Sequence, residues 1–309
     1  MSHHGLHHVT AIAGAARRNF DFYTRILGLR FVKKTVNFDD PGTYHFYYGD
    51  ETGRPGTILT FFPWEHVVPG RVGVGQTSET AFRVPAASLG YWTHRFVEKG
   101  VPHENLEKRF GESVLVFKDP DGLRLSLVGV AGAETEPGWS GGDIPSEHAI
   151  RGFNGVTLLL DEGVRTGAIL TDVLGFRETA REGSSTRYAT DAPRGAVVDI
   201  RTAAGFLPGS MGGGSVHHVA FRAVDDAAQA AMARRLIENH GIRPTEQRDR
   251  NYFRSVYFRE PGGVLFEIAT DDPGFAVDES AANLGRDLKL PKFLESRRQQ
   301  IEAVLPELA

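Results

Sequence analysis

With 309 residues, of which 40% are hydrophobic, 24% charged and 10% aromatic, the chain has a globular composition and about twice the length of a typical domain, which excludes global disorder. A formal charge of −4 with no long run of either sign excludes an electrostatic grip on nucleic acid or on an anionic membrane. Cysteine is absent, so disulfides, thiolate metal sites and Cys nucleophiles are excluded, and any bound metal must use His, Asp or Glu. No apolar stretch approaches the ~18 residues of a membrane span. Met1-Ser2-His3-His4-Gly5 leads straight toward a strand without a basic or apolar leader, so a cytoplasmic location is expected.

In chain order, the first expected strand carries Leu6-His7-His8-Val9-Thr10. A helix over 15–27 follows, with Phe20, Tyr23 and Leu27 on one face, and ends at Gly28. Apolar runs at 43–48 and 57–62 read as strands, and a Gly-rich stretch at 69–75 reads as a linker. A helix over 86–99 closes at Gly100, strands follow at 113–117 and 123–128, and 131–145 is a second linker rich in Gly, Pro and Glu. Phe153-Asn154-Gly155-Val156-Thr157 opens the next strand, with a helix over 164–174 before Gly175 and a Gly/Ser linker at 208–215. His217-His218-Val219 begins another strand, followed by a helix over 226–240 before Gly241 and strands at 255–258 and 264–268. The tail, 284–308, reads as one or two amphipathic helices packed on the body through Phe293, Ile301 and Leu305.

These elements repeat. Leu6 through Arg30 matches Phe153 through Arg177 at a constant offset of 147, and Lys99-Gly100-Val101 through Gly122 matches His240-Gly241-Ile242 through Gly263 at an offset of 141. The fold class that follows is α+β, built from four βαβββ modules at about 5–64, 76–130, 151–204 and 214–270. They form two tandem domains, 1–135 and 150–272, with a helical tail over 273–309.

Two His pairs, His7-His8 and His217-His218, open the first strands of modules one and four. Neighbouring strand residues face opposite sides, so one member of each pair is expected to point into a shared cavity. The repeat supplies an internal control: His8 maps to Gly155, Glu267 maps to Ser126, and Glu79 stands opposite His218. Candidate ligands therefore survive only in modules one and four. Glu267 lies in the apolar strand Leu265-Phe266-Glu267-Ile268-Ala269, where a solitary carboxylate costs several kcal/mol unless paired or metal-bound. Two neutral His and one carboxylate form the facial triad suited to Fe(II) and O2 chemistry, and Mn(II) fits the same ligands.

The four modules and the HHV…HHV…FE pattern resemble the vicinal oxygen chelate superfamily. The stretches at 5–10, 31–39, 55–63, 248–253 and 257–267 are similar to its hydroquinone-type ring-cleaving dioxygenase branch, and the likeness extends over essentially the whole chain, including 288–306. The resemblance implies two tandem vicinal-oxygen-chelate domains and an Fe(II)-dependent extradiol-type dioxygenase that inserts O2 into a hydroquinone or catechol. It makes His8, His218 and Glu267 the metal ligands and surrounds them with His7, Thr10, His217, Arg250 and Tyr257. Read from the residues alone, the Tyr257 hydroxyl and the Arg250 guanidinium could fix an aromatic diol or its oxyanion, ahead of the readings as a core aromatic and a solvated loop charge, while His7 could equally be the buried neighbour of its strand. Phe61, Phe62 and Trp64 are candidates to line an aromatic-binding cavity, whereas His45 has no usable partner spacing.

Two other readings fit the same architecture. A glyoxalase-like isomerase or lyase normally adds a fourth protein ligand, and the strand at 57–62 offers no carboxylate or amide. A metal-free ligand-sequestering protein would have no use for two His and a buried Glu. The expected partners are a small aromatic diol and O2, and self-association is left open by the sequence.

Overall fold

The structure, a computed structural model, describes residues 4–139 and 141–308. Met1, Ser2 and His3 of the N-terminal reading, Ser140 of the 131–145 stretch and Ala309 of the tail lie outside the described residues. Module one comprises β1 (Leu6–Ala13), α1 (Ala16–Asp21), β2 (Arg30–Asn37), β3 (Asp40–Gly49) and β4 (Ile58–Pro63). Module two comprises β5 (Gln76–Pro85), α2 (Leu89–Lys99), β6 (Glu107–Arg109), β7 (Glu112–Lys118) and β8 (Arg124–Val130). Module three comprises β9 (Phe153–Leu160), α3 (Val164–Asp172), β10 (Arg177–Glu182), β11 (Ser185–Ala189) and β12 (Val197–Thr202). Module four comprises β13 (Val216–Ala223), α4 (Asp226–His240), β14 (Arg248–Asp249), β15 (Phe253–Arg259) and β16 (Leu265–Pro273). All four are βαβββ, as the repeat predicts. The helices stop where glycine permits a left-handed residue: Gly100 and Gly241 (φ 68° and 66°) cap α2 and α4.

The strands form two curled eight-stranded sheets, ordered β14-β15-β16-β13-β1-β4-β3-β2 and β10-β11-β12-β9-β5-β8-β7-β6. The first sheet joins modules one and four through the antiparallel pair β1–β13, and the second joins modules two and three through β5–β9. The division at 1–135 and 150–272 thus separates, along the chain, modules that share a sheet. Helices and the outward sheet faces enclose the main apolar core, with Trp92, Phe61, Phe96 and Phe153 fully buried in it.

Three expectations change. The stretches at 69–75 and 208–215 are not free linkers but a clasp: Gly70 and Arg71 donate backbone hydrogen bonds to Gly213 and Ser210, and Gly209 donates to Val74. A Cβ on Gly73 would sit 2.5 Å from the Leu207 carbonyl, so the glycines serve close backbone approach. The first helix is α only to Asp21 and continues as a π turn, Phe22–Ile26. This wider turn buries both Phe22 and Tyr23, brings the Tyr23 hydroxyl to Asp119 at 2.9 Å, and leaves Phe20 only partly covered. The tail holds a 3₁₀ stretch, Lys292–Arg297, and one short helix, α5 (Arg298–Glu302). Ile301 and Leu305 are buried as expected, but Phe293 is 65% exposed, because the tighter turn after Pro291 sends Leu294 inward instead.

The first part of the 273–309 tail ties the two ends of the first sheet together. Lys33 on β2, with 0% exposure, is ion-paired with Asp278 (2.5 Å) and Glu279, while Asp278 also accepts from Tyr252 (3.0 Å) at the start of β15. Lys289 then donates its backbone N–H to Lys34 on the β2 edge. Lys33→Met leaves the Glu279 carboxylate buried without its cation and is expected to lower unfolding stability by about 3–5 kcal/mol. The double variant Lys33→Met/Glu279→Leu should recover most of that loss in denaturant titration. A single variant as stable as the parent would show that the pair does not hold the sheet ends.

Candidate metal centre

Register across the first sheet brings three distant residues together. On the concave face β1 pairs with β13 so that His8 faces Ala220 and Thr10 faces His218, and β13 runs parallel to β16 so that Ala220 faces Glu267. His8 Nε2 lies 3.3 Å from His218 Nε2 and 3.3 Å from Glu267 Oε2, and His218 Nε2 lies 3.0 Å from the same oxygen. Among the described residues this is the one grouping of three His, Asp or Glu donors spaced for a metal. Two ligands about 2.1 Å from one ion and at right angles to each other lie about 3.0 Å apart, so the triangle has the size of one face of a coordination shell. Glu267 is fully buried. Its Oε1 accepts from Ser255, whereas its Oε2 has no hydrogen-bond donor, an orphan that a cation would satisfy. Burial pushes His218 down, leaving a neutral imidazole.

The neighbouring histidines depart from simple alternation. Between the Leu6–Phe221 and His8–Ala220 pairs β1 carries an extra residue, His7, and between Thr10–His218 and Ala11–Val216 β13 carries His217. Both therefore sit at β-bulges, which turn the added side chain toward its neighbour. His7 Nδ1 meets His8 Nδ1 at 2.9 Å and His217 Nδ1 meets His218 Nδ1 at 2.8 Å. With Nε2 of His8 and of His218 facing the shared centre, the Nδ1 of each carries the proton and His7 and His217 accept it, a hydrogen bond that fixes both ring orientation and tautomer. Burial pushes His7 well below, and His217 down to about 4, so both are neutral acceptors near pH 7. The expectation of one inward His per pair fails at the second pair, where both His217 and His218 line the cavity.

That cavity, about 370 Å³, is lined by His8, His218, His217, Tyr257, Arg250 and the aromatic residues Phe38, Phe62, Trp64 and Phe253. Phe61 is instead plain core. Tyr257, paired with Glu267 across β15–β16, stands edge-on to His218 and receives a hydrogen bond from Arg250 Nε at 3.2 Å, which leaves its own O–H directed elsewhere. Burial and the nearby Glu267 push the Tyr257 phenol up, so it remains a donor. Arg250 also reaches Asp39 on the β2–β3 turn at 3.3 Å. Thr10 and His7 do not line the cavity; Thr10 lies beneath it, bonded to Thr60 at 2.7 Å, and His7 packs against Phe253 from behind. The sequence reading missed His45 and Tyr47, which line the cavity from β3. Period-2 alternation along β3, with Tyr44, Phe46 and Tyr48 on the core face, was the signal that could have placed them.

The second sheet shows why the same place there has different chemistry. Thr157 faces Glu79 and Ala81 faces both Ser126 and Gly155, the same register as Thr10–His218, Ala220–Glu267 and Ala220–His8. Glu79 accepts from Ser126 (2.7 Å), Arg109 (2.6 Å) and Arg124 (3.0 Å), so guanidinium groups neutralise it. A Cβ at Gly155 would lie 2.1 Å from the Val197 carbonyl, which leaves no space for a histidine.

Comparison with known proteins bears on this arrangement. Residues 5–127 and 165–268 match the Glyoxalase/Bleomycin resistance protein/Dioxygenase superfamily. Among similar proteins is MhqO of Bacillus subtilis, named a ring-cleaving dioxygenase, 46% identical over 96% of this chain and 94% of its own. A chlorohydroquinone/hydroquinone 1,2-dioxygenase of Sphingobium indicum is 34% identical over 96% of this chain and 94% of its own. A Bacillus subtilis crystal structure named as a dioxygenase superposes with a TM-score of 0.94 at 44% identity, covering 100% of this chain and 99% of that one. Among the described residues, no helix is long and apolar enough to cross a membrane.

Proposed function

Since the chain belongs to the Glyoxalase/Bleomycin resistance protein/Dioxygenase superfamily, we propose that it is a ring-cleaving dioxygenase that opens a hydroquinone with O2, using Fe(II) held by His8, His218 and Glu267. The observation that carries this reading is the triad itself: three buried donors occupy one face of a site whose other side opens on an aromatic-walled cavity. The names of the relatives support the reaction class.

A bound Fe(II) supplies Lewis acidity toward the diol oxygen and redox reactivity toward O2. The chain's own residues do the rest. Phe38, Phe62 and Trp64 exclude water and flank the ring. Tyr257, its oxygen already engaged by Arg250, donates its hydroxyl proton to an oxygen in the cavity, and the nearby guanidinium favours negative charge there. His217, whose Nδ1 lone pair is taken by His218, keeps its proton on Nε2 and lines the cavity as a neutral donor.

Against the isomerase reading stands Thr60. On β4 it occupies, in module one, the register place that Glu267 holds in module four, and its hydroxyl is engaged by Thr10 and His45. A fourth carboxylate ligand therefore has no seat there. The test is oxygen uptake by the Fe(II)-reconstituted protein with a panel of hydroquinones and catechols. Stoichiometric uptake with loss of the aromatic absorbance is expected for hydroquinone. No uptake with any diol, at full metal loading, would refute the reading.

A further inference from the structure

A polar row crosses the floor of the first sheet and is not used by the metal centre. Thr10 Oγ1 lies 2.7 Å from Thr60 Oγ1, Thr60 Oγ1 lies 2.9 Å from His45 Nε2, and His45 Nδ1 lies 2.9 Å from the Tyr47 hydroxyl. Strand register sets Thr10, Thr60 and Tyr47 side by side on β1, β4 and β3, with His218 next in line on β13. Thr10 and Thr60 are sealed beneath the floor, while His45 and Tyr47 line the cavity.

Counting protons shows what this row offers. Burial pushes His45 well below the usual imidazole range, so the ring is neutral and has a single N–H. Burial keeps the Tyr47 phenol protonated as well. Four groups then bring four protons to three links, and one proton always points out of the row at one end. With the proton of His45 on Nδ1, donation runs from Thr10 through Thr60 and His45 to Tyr47, whose O–H turns out into the cavity. With the proton on Nε2 the direction reverses, and Tyr47 presents a lone pair. The cavity end of the row is thus a donor or an acceptor without any change in charge.

We propose that Tyr47 binds the second hydroxyl of a benzene-1,4-diol, the one remote from the metal ligands, and that His45 positions Tyr47 to do so. This rests on the ring-cleavage reading above. A 1,2-diol brings both oxygens to the ligand end, whereas a 1,4-diol carries its second oxygen to the opposite end of the ring, where a desolvated hydroxyl needs a partner. β3 stands two strands from β1, about 10 Å across the sheet, and Phe62 packs tilted against His45, ring centroids 4.4 Å apart, giving an aromatic wall beside the hydroxyl. Of the other polar groups at the cavity, Asp39, Thr245 and Arg248 are exposed, and half-exposed Asn37 already accepts from the Asp39 N–H at 3.0 Å, while Tyr47 is buried.

The test is equilibrium binding to the Fe(II)-loaded full chain under argon, comparing hydroquinone with phenol, which lacks the second hydroxyl. The parent is expected to bind hydroquinone about three- to tenfold more tightly, the range of one net hydrogen bond. Tyr47→Phe should bring that ratio to about one, with iron content and phenol affinity unchanged. His45→Phe should also lower the ratio although the Tyr47 hydroxyl is still present, which a purely structural ring would not do. An unchanged ratio in Tyr47→Phe, or no discrimination by the parent, overturns the proposal. A parent that discriminates yet consumes no O2 with any diol overturns the ring-cleavage reading and leaves Tyr47 as the reader of the second hydroxyl.

Discussion

Replacing Glu267 with alanine is expected to abolish metal binding and ring cleavage together. The variant removes the only anionic donor and leaves two neutral imidazoles to hold a dication. Its affinity for Fe(II) should fall by more than the ~10–100-fold typical of changes outside the ligand set. Metal content after dialysis, and the rise in melting temperature when Fe(II) or Mn(II) is added, measure the effect directly, since an ion that binds only the folded state stabilises it. The parent should show that rise and Glu267→Ala should not. The metal-free protein gives a second readout. Glu267 Oε2 is buried without a donor, so Glu267→Gln, which removes the charge and keeps the shape, should unfold no more easily than the metal-free parent. A Glu267→Ala protein that still binds one Fe(II) per chain would move the centre elsewhere.

Tyr257→Phe is expected to do the opposite: iron is retained and turnover drops by about 10–100-fold. Only a hydroxyl is removed, the ring keeps its edge contact with His218, and the phenol oxygen is held by Arg250 while His8, His218 and Glu267 face one another. The loss should fall on kcat more than on phenol or diol affinity, because the hydroxyl is directed at an oxygen whose charge grows during reaction. Normal turnover with normal iron would make Tyr257 a packing residue and pass its role to His217 or Arg250.

Much of this protein is legible without coordinates because the repeat carries its own control. The constant offsets point to four βαβββ modules, and the survival of His8, His218 and Glu267 against Gly155, Ser126 and Glu79 singles out one half of the molecule as the place where three donors meet. Period-2 strands and glycine helix ends are local properties, so local sequence suffices to find them. What the sequence could not decide is everything set by pairing between distant strands. That modules one and four share a sheet follows from the β1–β13 register, not from chain order. The bulges at His7 and His217, one extra residue each, bring the two rings of each histidine pair into Nδ1–Nδ1 contact, whereas alternation alone would face them apart. His45 looked partnerless because Thr60 and Tyr47 become its partners only when β3 pairs with β4 and β4 with β1. The glycine-rich stretches at 69–75 and 208–215 looked like linkers because the close backbone approach that demands glycine exists only once each lies against the other. Residue type and period determined which groups are present and on which elements; the energy of non-local strand pairing, which no local segment encodes, determined which of them meet.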